Sequence, residues 1–171
     1  MSAFSYMIFF TGVNNPRHGC TVIGWQDAVP LFFEFETDSS CTTVGTIISR
    51  DRQPVAALHW GIGPGLGQAN ISGMEVSIDD LIRPGSTANG RSFVSANGST
   101  FEWRRSYQDP ASYELWAGPN AQIAGFRMFT CETPVGLSHA TLEYNFTDPA
   151  FLLEALVTLC VNRSIDLNMA V

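Results

Sequence analysis

Residues 148–161 read DPAFLLEALVTLCV, and this stretch decides the fold. Asp148 is a favourable N-cap residue, and Pro149 suits the first helical position, where no backbone donor is required. The residues that follow favour a helix that is apolar on nearly every face, with Glu154 and Thr158 as its internal polar side chains. A helix of this kind is buried, so the rest of the chain must surround it. At ~1.5 Å per residue the apolar part spans roughly 20 Å, which is too short for a bilayer.

Upstream of this helix, alternating or apolar runs are separated by Gly, Pro, Asn and Asp. These runs predict about ten to twelve short strands. The strand candidates are residues 4–10, 20–25, 31–37, 44–50, 54–60, 74–78, 92–95, 100–105, 113–117, 122–129 and 139–146. In the third run, Leu31, Phe33 and Phe35 share one face of the strand. Asn97-Gly98 predicts a type I′ turn within a hairpin, because both residues tolerate positive φ angles.

Strands and helix together predict a mainly β protein that forms one domain over residues 1–171. The expected architecture is a closed antiparallel β-barrel of about 10–12 strands around the central hydrophobic C-terminal helix. Closure removes exposed strand edges, and the helix fills the lumen. A ligand would then have to use the barrel rim or an outer face.

Several short motifs carry a family resemblance: GTIISR at 45–50, VAAL at 55–58, RSF at 91–93, FEWR at 101–104 and IAGF at 123–126. With the terminal helix, they make the chain resemble the small fungal proteins of the DUF6593 family. That family resembles the tubby C-terminal-like superfamily, which includes the LURP-one-related proteins and the phospholipid scramblases. The resemblance implies a fungal, basidiomycete origin and a tubby-like β-barrel around a helix. It implies no activity and no site residues.

The charge balance limits the partners. The chain has nine Arg, no Lys and sixteen acidic residues, for a formal net charge of −7. Nucleic-acid binding needs clustered cations, so we expect no nucleic-acid partner. Tubby proteins bind phosphoinositides through a Lys and Arg pocket, and the lack of Lys argues against anionic lipid in the same way. A Lys Schiff base and a P-loop Lys are excluded outright.

Cysteine usage and the N-terminus bear on the compartment. The four cysteines are Cys20, Cys41, Cys131 and Cys160, with no CxxC pair, and the chain has three His. This pattern predicts four free thiols, no metal site and no cofactor. The N-terminal residues lack the basic region of a signal peptide, and no run reaches the ~20 apolar residues of a membrane span. We therefore expect a cytoplasmic protein.

Candidate ligand contacts fall into two groups. His59 and Trp60 end a predicted strand just before the glycine-rich loop 61–67, which lacks the Lys and hydroxyl of a phosphate-binding loop. A rim pocket there would suit a small-molecule enzyme with His59 as general base. The other candidates are amphipathic or cationic side chains near strand ends: Trp103, Arg105, Tyr113 and Trp116. Each of the six has a structural interpretation as well, as a core aromatic, a strand-end histidine or a cross-strand ion pair.

No nucleophile elbow, Cys–His pair or carboxylate pair of defined separation is present. The main hypothesis is therefore a non-enzymatic soluble binding or interaction protein, whose partner is an unknown small molecule or protein. A small-molecule enzyme and a peripheral lipid-binding protein are the alternatives. A homo-oligomer is compatible with the sequence.

Overall fold

A computed structural model describes residues 4–38, 44–61, 64–134 and 136–167. The described chain forms thirteen strands and two helices. The strands are β1 Tyr6–Gly12, β2 Cys20–Gln26, β3 Val29–Asp38, β4 Val44–Arg50, β5 Gln53–Trp60, β6 Gly67–Ile71, β7 Met74–Ser77, β8 Arg83–Pro84, β9 Gly90–Val94, β10 Thr100–Arg105, β11 Tyr113–Trp116, β12 Gln122–Thr133 and β13 Gly136–Tyr144. The helices are α1 Ile78–Leu81 and α2 Pro149–Asp166.

All thirteen strands belong to one antiparallel sheet in the order β7-β6-β5-β4-β3-β2-β1-β13-β12-β11-β10-β9-β8. Neighbouring strands in the sheet are also consecutive in the chain except at the centre, where β1 pairs with β13 and Tyr6 lies opposite Tyr144. The mainly β, antiparallel architecture and the C-terminal helix are as predicted. The predicted closure of the barrel is not observed, because the sheet has two free ends, β7 and β8, that are not joined by hydrogen bonds.

The helix α2 is surrounded by the sheet. The side chain of Asp148 caps its N-terminus by accepting a hydrogen bond of 2.9 Å from the backbone N–H of Ala150. Every residue from 151 to 164 is buried, which requires packing partners on all faces of the helix. The helix has 18 residues and continues beyond the apolar stretch, because its last buried polar residues find partners in the sheet. Asn162, for example, accepts a hydrogen bond of 3.1 Å from Arg91 on β9.

Strand alternation places the apolar side chains against this helix. Leu31, Phe33 and Phe35 on β3 are buried, as the sequence pattern predicted. On β10, Trp103 is 1 % exposed, and its indole N–H donates to the Thr158 hydroxyl at 3.0 Å. Thr158, one of the two internal polar residues of the helix, is thus buried against the sheet, where a polar group needs a hydrogen-bond partner.

The hairpin around Asn97-Gly98 is present, but its turn type differs from the prediction. Gly98 has φ +87°, whereas Asn97 is not among the residues with positive φ, so the turn is not type I′. Instead the Asn97 side chain accepts a hydrogen bond of 2.8 Å from the backbone N–H of Ser99. This side-chain bond stabilises a three-residue loop that needs the left-handed conformation at glycine alone.

Candidate functional site

The two free ends of the sheet leave an open seam over the helix. We call the concavity there the seam groove; it has a volume of about 450 Å³. Met74 and Val76 of β7 form one wall, and Phe93 and Val94 of β9 form the other. Its floor is the N-terminal half of α2, where Ala150, Glu154 and Thr158 follow one another at helical spacing.

The seam exists because β8 is too short to bridge it. This strand has only Arg83 and Pro84, which pair with Ser92 and Arg91 of β9. Beyond Ser92, Val94 keeps its partner Thr100 on β10 but has no strand on its other side among the described residues. On the opposite wall, β7 is the terminal strand and pairs with β6 alone. Two unpaired strand edges therefore flank the groove.

The exposed residues at the entrance of the groove are apolar. Met74 is 68 % exposed and Val94 is 53 % exposed. Phe93 is buried beneath them and packs in an aromatic cluster with Phe101 and Phe151. An apolar concavity with exposed apolar residues on both sides of its entrance is typical of a ligand-binding surface.

A buried carboxylate lies on the floor. Glu154 is 9 % exposed, and its two oxygens share one donor, the backbone N–H of Ala96, at 3.2 and 3.3 Å. No ion pair involves Glu154 within the described part of the chain. Removing an ion from water costs several kcal/mol unless it is paired and hydrogen-bonded. The Glu154 carboxyl group therefore faces the groove with one backbone N–H as its hydrogen-bond donor.

Other charged residues around the groove are also mostly acidic. Glu75 and Asp80 lie on its rim and are exposed. Among the residues that line the groove, Arg83 carries the positive charge. It is exposed, and its Nε donates a hydrogen bond to the backbone carbonyl of Asp80 at 3.1 Å. The lining side chains thus carry three carboxylates and one guanidinium, and only one carboxylate is buried.

A second concavity, of about 360 Å³, lies at the C-terminal end of α2, and we call it the arginine cleft. Arg91 and Arg105 line it together with Asp166. Asp166 accepts a hydrogen bond of 2.8 Å from Arg91 and one of 2.7 Å from the Tyr113 hydroxyl, and Arg105 Nε lies 4.0 Å from it. Burial and the adjacent Asp166 carboxylate raise the pKa of Tyr113. Asp166 thus offsets one of the two guanidinium charges.

The structure brings together two of the six residues predicted as ligand contacts. Arg105 lines the arginine cleft, and Tyr113 lies behind it, buried against Asp166. Trp116 is half-buried on β11; its indole donates to Glu114 at 3.2 Å, and the guanidinium of Arg104 lies 4.6 Å from its ring centroid.

The remaining predicted contacts lie elsewhere. Trp103 is in the core against α2. His59 is exposed, whereas its neighbour Trp60 is buried on the opposite face of β5, with its indole donating to Thr46 at 2.8 Å. Neither His59 nor Trp60 lines the seam groove or the arginine cleft. Residues 62 and 63 of the glycine-rich loop 61–67 lie outside the described residues.

Sequence reasoning did not place Glu154 in a site, although the signal was present. A single carboxylate inside an otherwise apolar buried helix is unusual, because acidic residues are almost never fully buried unless paired. What the sequence did not contain was the position of the seam, since that depends on which strands fail to pair.

Within the described residues, no group of three or more His, Cys, Asp or Glu side chains is placed to hold a metal ion. Cys20, Cys131 and Cys160 are free, and Cys41 lies outside the described residues. Burial raises the pKa of the Cys20 and Cys160 thiols to about 12. None of the helices described here is both long and apolar enough to cross a membrane.

These features define a class of protein in which one large antiparallel sheet surrounds a buried C-terminal helix. The sequence profile of DUF6593, a family of unknown function, matches residues 14–161, and the chain belongs to this family. Comparisons with curated proteins and with solved structures produced no match.

Proposed function

We propose that this chain is a non-catalytic binding protein that holds a small apolar ligand in the seam groove. The observation that carries the proposal is the groove itself: about 450 Å³ of space between two unpaired sheet edges, floored by the helix. Small-molecule sites are typically ~300–1,000 Å³, mostly apolar, and contain a few polar groups that orient the ligand. The groove has this size and this composition.

This proposal refines the hypothesis of a rim or outer-face site. A sheet closed around a helix would leave no interior access, whereas the open seam leaves Ala150 and Glu154 of the helix lining a groove between Met74 and Val94. A ligand seated there would contact both ends of the sheet and the helix at once. Binding would therefore complete the enclosure of the core that the strands leave open.

The enzyme alternative has less support. It requires His59 and Trp60 to line one pocket, but their side chains lie on opposite faces of β5. The lipid-binding alternative would rest on the arginine cleft, where Asp166 already pairs with Arg91. We therefore rank both below the groove.

For the whole protein, we propose a single domain of the tubby C-terminal-like type, from a fungal source and located in the cytoplasm. The architecture is supported by the helix buried on all faces within an antiparallel sheet. The cytoplasmic location is supported by Cys20, Cys131 and Cys160, which are free, because free thiols persist in reducing compartments.

Occlusion of the groove tests the proposal. Ala150 is exposed on the groove floor, so Ala150→Trp fills the space without entering the core. The matched control is Ala121→Trp, at an exposed turn between β11 and β12. With 1-naphthalenemethanol as an uncharged apolar probe, calorimetric titration should show binding to wild type and to Ala121→Trp. We expect Ala150→Trp to bind at least about tenfold more weakly, a loss of ~1.4 kcal/mol. Equal affinity for both variants, or no binding to wild type, would contradict the proposal.

A further inference from the structure

We propose that the natural ligand of the seam groove has an apolar body and one positively charged amine or amidine group. The Glu154 carboxylate holds this positive group. The inference rests on the proposed function and adds the chemical class of the ligand. It is carried by the charge that the groove buries and by the distribution of charge around it.

The first argument is the incomplete compensation of Glu154. A carboxylate has about four lone-pair sites for hydrogen bonds. In the described structure the two oxygens of Glu154 share a single backbone donor, the N–H of Ala96, at 3.2 and 3.3 Å. The side chain is nevertheless nine-tenths buried and lines the groove. A protonated amine in the groove would supply the missing donors and the missing positive charge.

The second argument is that none of the protein's own arginines pairs with Glu154 within the described structure. Arg163 lies nine residues further along the same helix, about 13.5 Å at 1.5 Å per residue. Arg91 is committed to Asn162 and Asp166 near the C-terminal end of the helix. Arg83, at the groove rim, is exposed and donates to the backbone of Asp80.

The third argument is the complementarity of the groove to such a ligand. The walls formed by Val76, Phe93 and Val94 accept an apolar body. Around this apolar lining, Glu75 and Asp80 add negative potential at the rim, which favours the approach of a cation and disfavours an anion. An apolar body ending in a positive group therefore fits both the walls and the floor.

A matched series of probes tests the inference with the folded protein. The probes are 1-naphthylmethylamine, its neutral alcohol 1-naphthalenemethanol, and 1-naphthoic acid, and affinities are measured by calorimetric titration at pH 7. We expect the amine to bind about tenfold more tightly than the alcohol, because a hydrogen bond to a charged partner is worth roughly that factor. We expect the acid to bind most weakly.

Two substitutions assign the preference to a residue. Glu154→Gln keeps an acceptor for Ala96 and removes the charge, so the amine and the alcohol should bind with equal affinity. The control Glu132→Gln removes an exposed charge on β12, outside the groove, and should change the ratio by less than about twofold, because exposed charges are screened.

Equal binding of amine and alcohol to wild type would overturn the inference, even if Glu154→Gln does not fold. Retention of the amine preference in folded Glu154→Gln would overturn it as well. In both outcomes the alcohol still binds, so the proposed groove stands. Failure of the alcohol to bind wild type would instead contradict the proposed function itself.

Discussion

Arg163 is a cation buried in the core, and its charge acts on the half-buried imidazole of His139. Arg163 is 6 % exposed, and its guanidinium lies 4.7 Å from the ring centroid of Phe126. Among the described residues its hydrogen bonds are long, 3.4 Å to Asn14 and 3.9 Å to the sulfur of Met128. Burial lowers the pKa of Arg163, and burial together with Arg163 lowers the pKa of His139. The native structure therefore favours the neutral form of His139.

This gives a prediction for stability against pH. The pKa of His139 is lower in the folded state than the ~6.5 of the unfolded chain, so the unfolded state binds more protons as the pH falls below ~6.5. Stability associated with His139 is complete above ~6.5 and is lost on acidification toward the lowered folded pKa. We expect His139→Gln to lose less free energy of unfolding than wild type between pH 7.5 and pH 5.5.

Urea unfolding at the two pH values measures the difference. The carboxylates are common to both proteins, so their contribution cancels when the two pH-dependent losses are compared. Identical losses in wild type and His139→Gln would show that the neutral histidine is not favoured by the fold.

At the scale of elements, α2 is the centre of the core. Leu156 is 1 % exposed, in agreement with the prediction that the apolar helix is buried. We expect Leu156→Ala to reduce the free energy of unfolding by about 2–5 kcal/mol, through lost apolar transfer and the cavity left behind. Leu137→Ala is the matched control, because Leu137 on β13 is 63 % exposed and should lose less than about 0.5 kcal/mol. Chemical denaturation of both variants gives the comparison, and a small loss for Leu156→Ala would argue against a central helix.

The second important element is the very short strand β8. β8 has two residues, and in its antiparallel register with β9 the position opposite Val94 is Leu81, which belongs to the helix α1. The short helix α1 connects β7 to β8, with Ile78 buried beneath it. A longer β8 would pair with the free edge of β9 at Val94 and cover the groove, so the groove depends on this brief strand.

For the whole molecule, the charge distribution determines long-range behaviour. Nine Arg are outnumbered by sixteen carboxylates, and two of the cations, Arg91 and Arg105, lie near Asp166. We expect no measurable binding to phosphoinositide-containing vesicles or to duplex DNA near 150 mM salt, because exposed charges are screened beyond ~8 Å. Vesicle sedimentation, with neutral vesicles as the control, tests the lipid part. Saturable binding that weakens on Arg50→Ala or Arg105→Ala would restore the lipid-binding alternative.

The sequence by itself determined the elements whose causes are local. The N-cap Asp148, Pro149 and the apolar run predict α2 correctly, since capping and propensity act within one turn. Alternation predicts the buried face of β3, because side chains on a strand have a period of two. The Asn97-Gly98 hairpin was found, although its turn type was not, because a side-chain hydrogen bond to Ser99 selects a different geometry. The resemblance to the DUF6593 family could also be recognised from short motifs in the sequence alone.

Only the tertiary structure decided where the sheet stays open and what faces the opening. Which edges remain unpaired depends on contacts between residues far apart in the chain, such as Tyr6 with Tyr144 at the centre of the sheet. The same is true of Glu154, which meets the N–H of Ala96 across 58 residues. Helical periodicity places Glu154 on α2, but it does not say that this turn of the helix lies beneath the gap between β7 and β9. The groove is a product of strand pairing, and pairing is a long-range property of the chain.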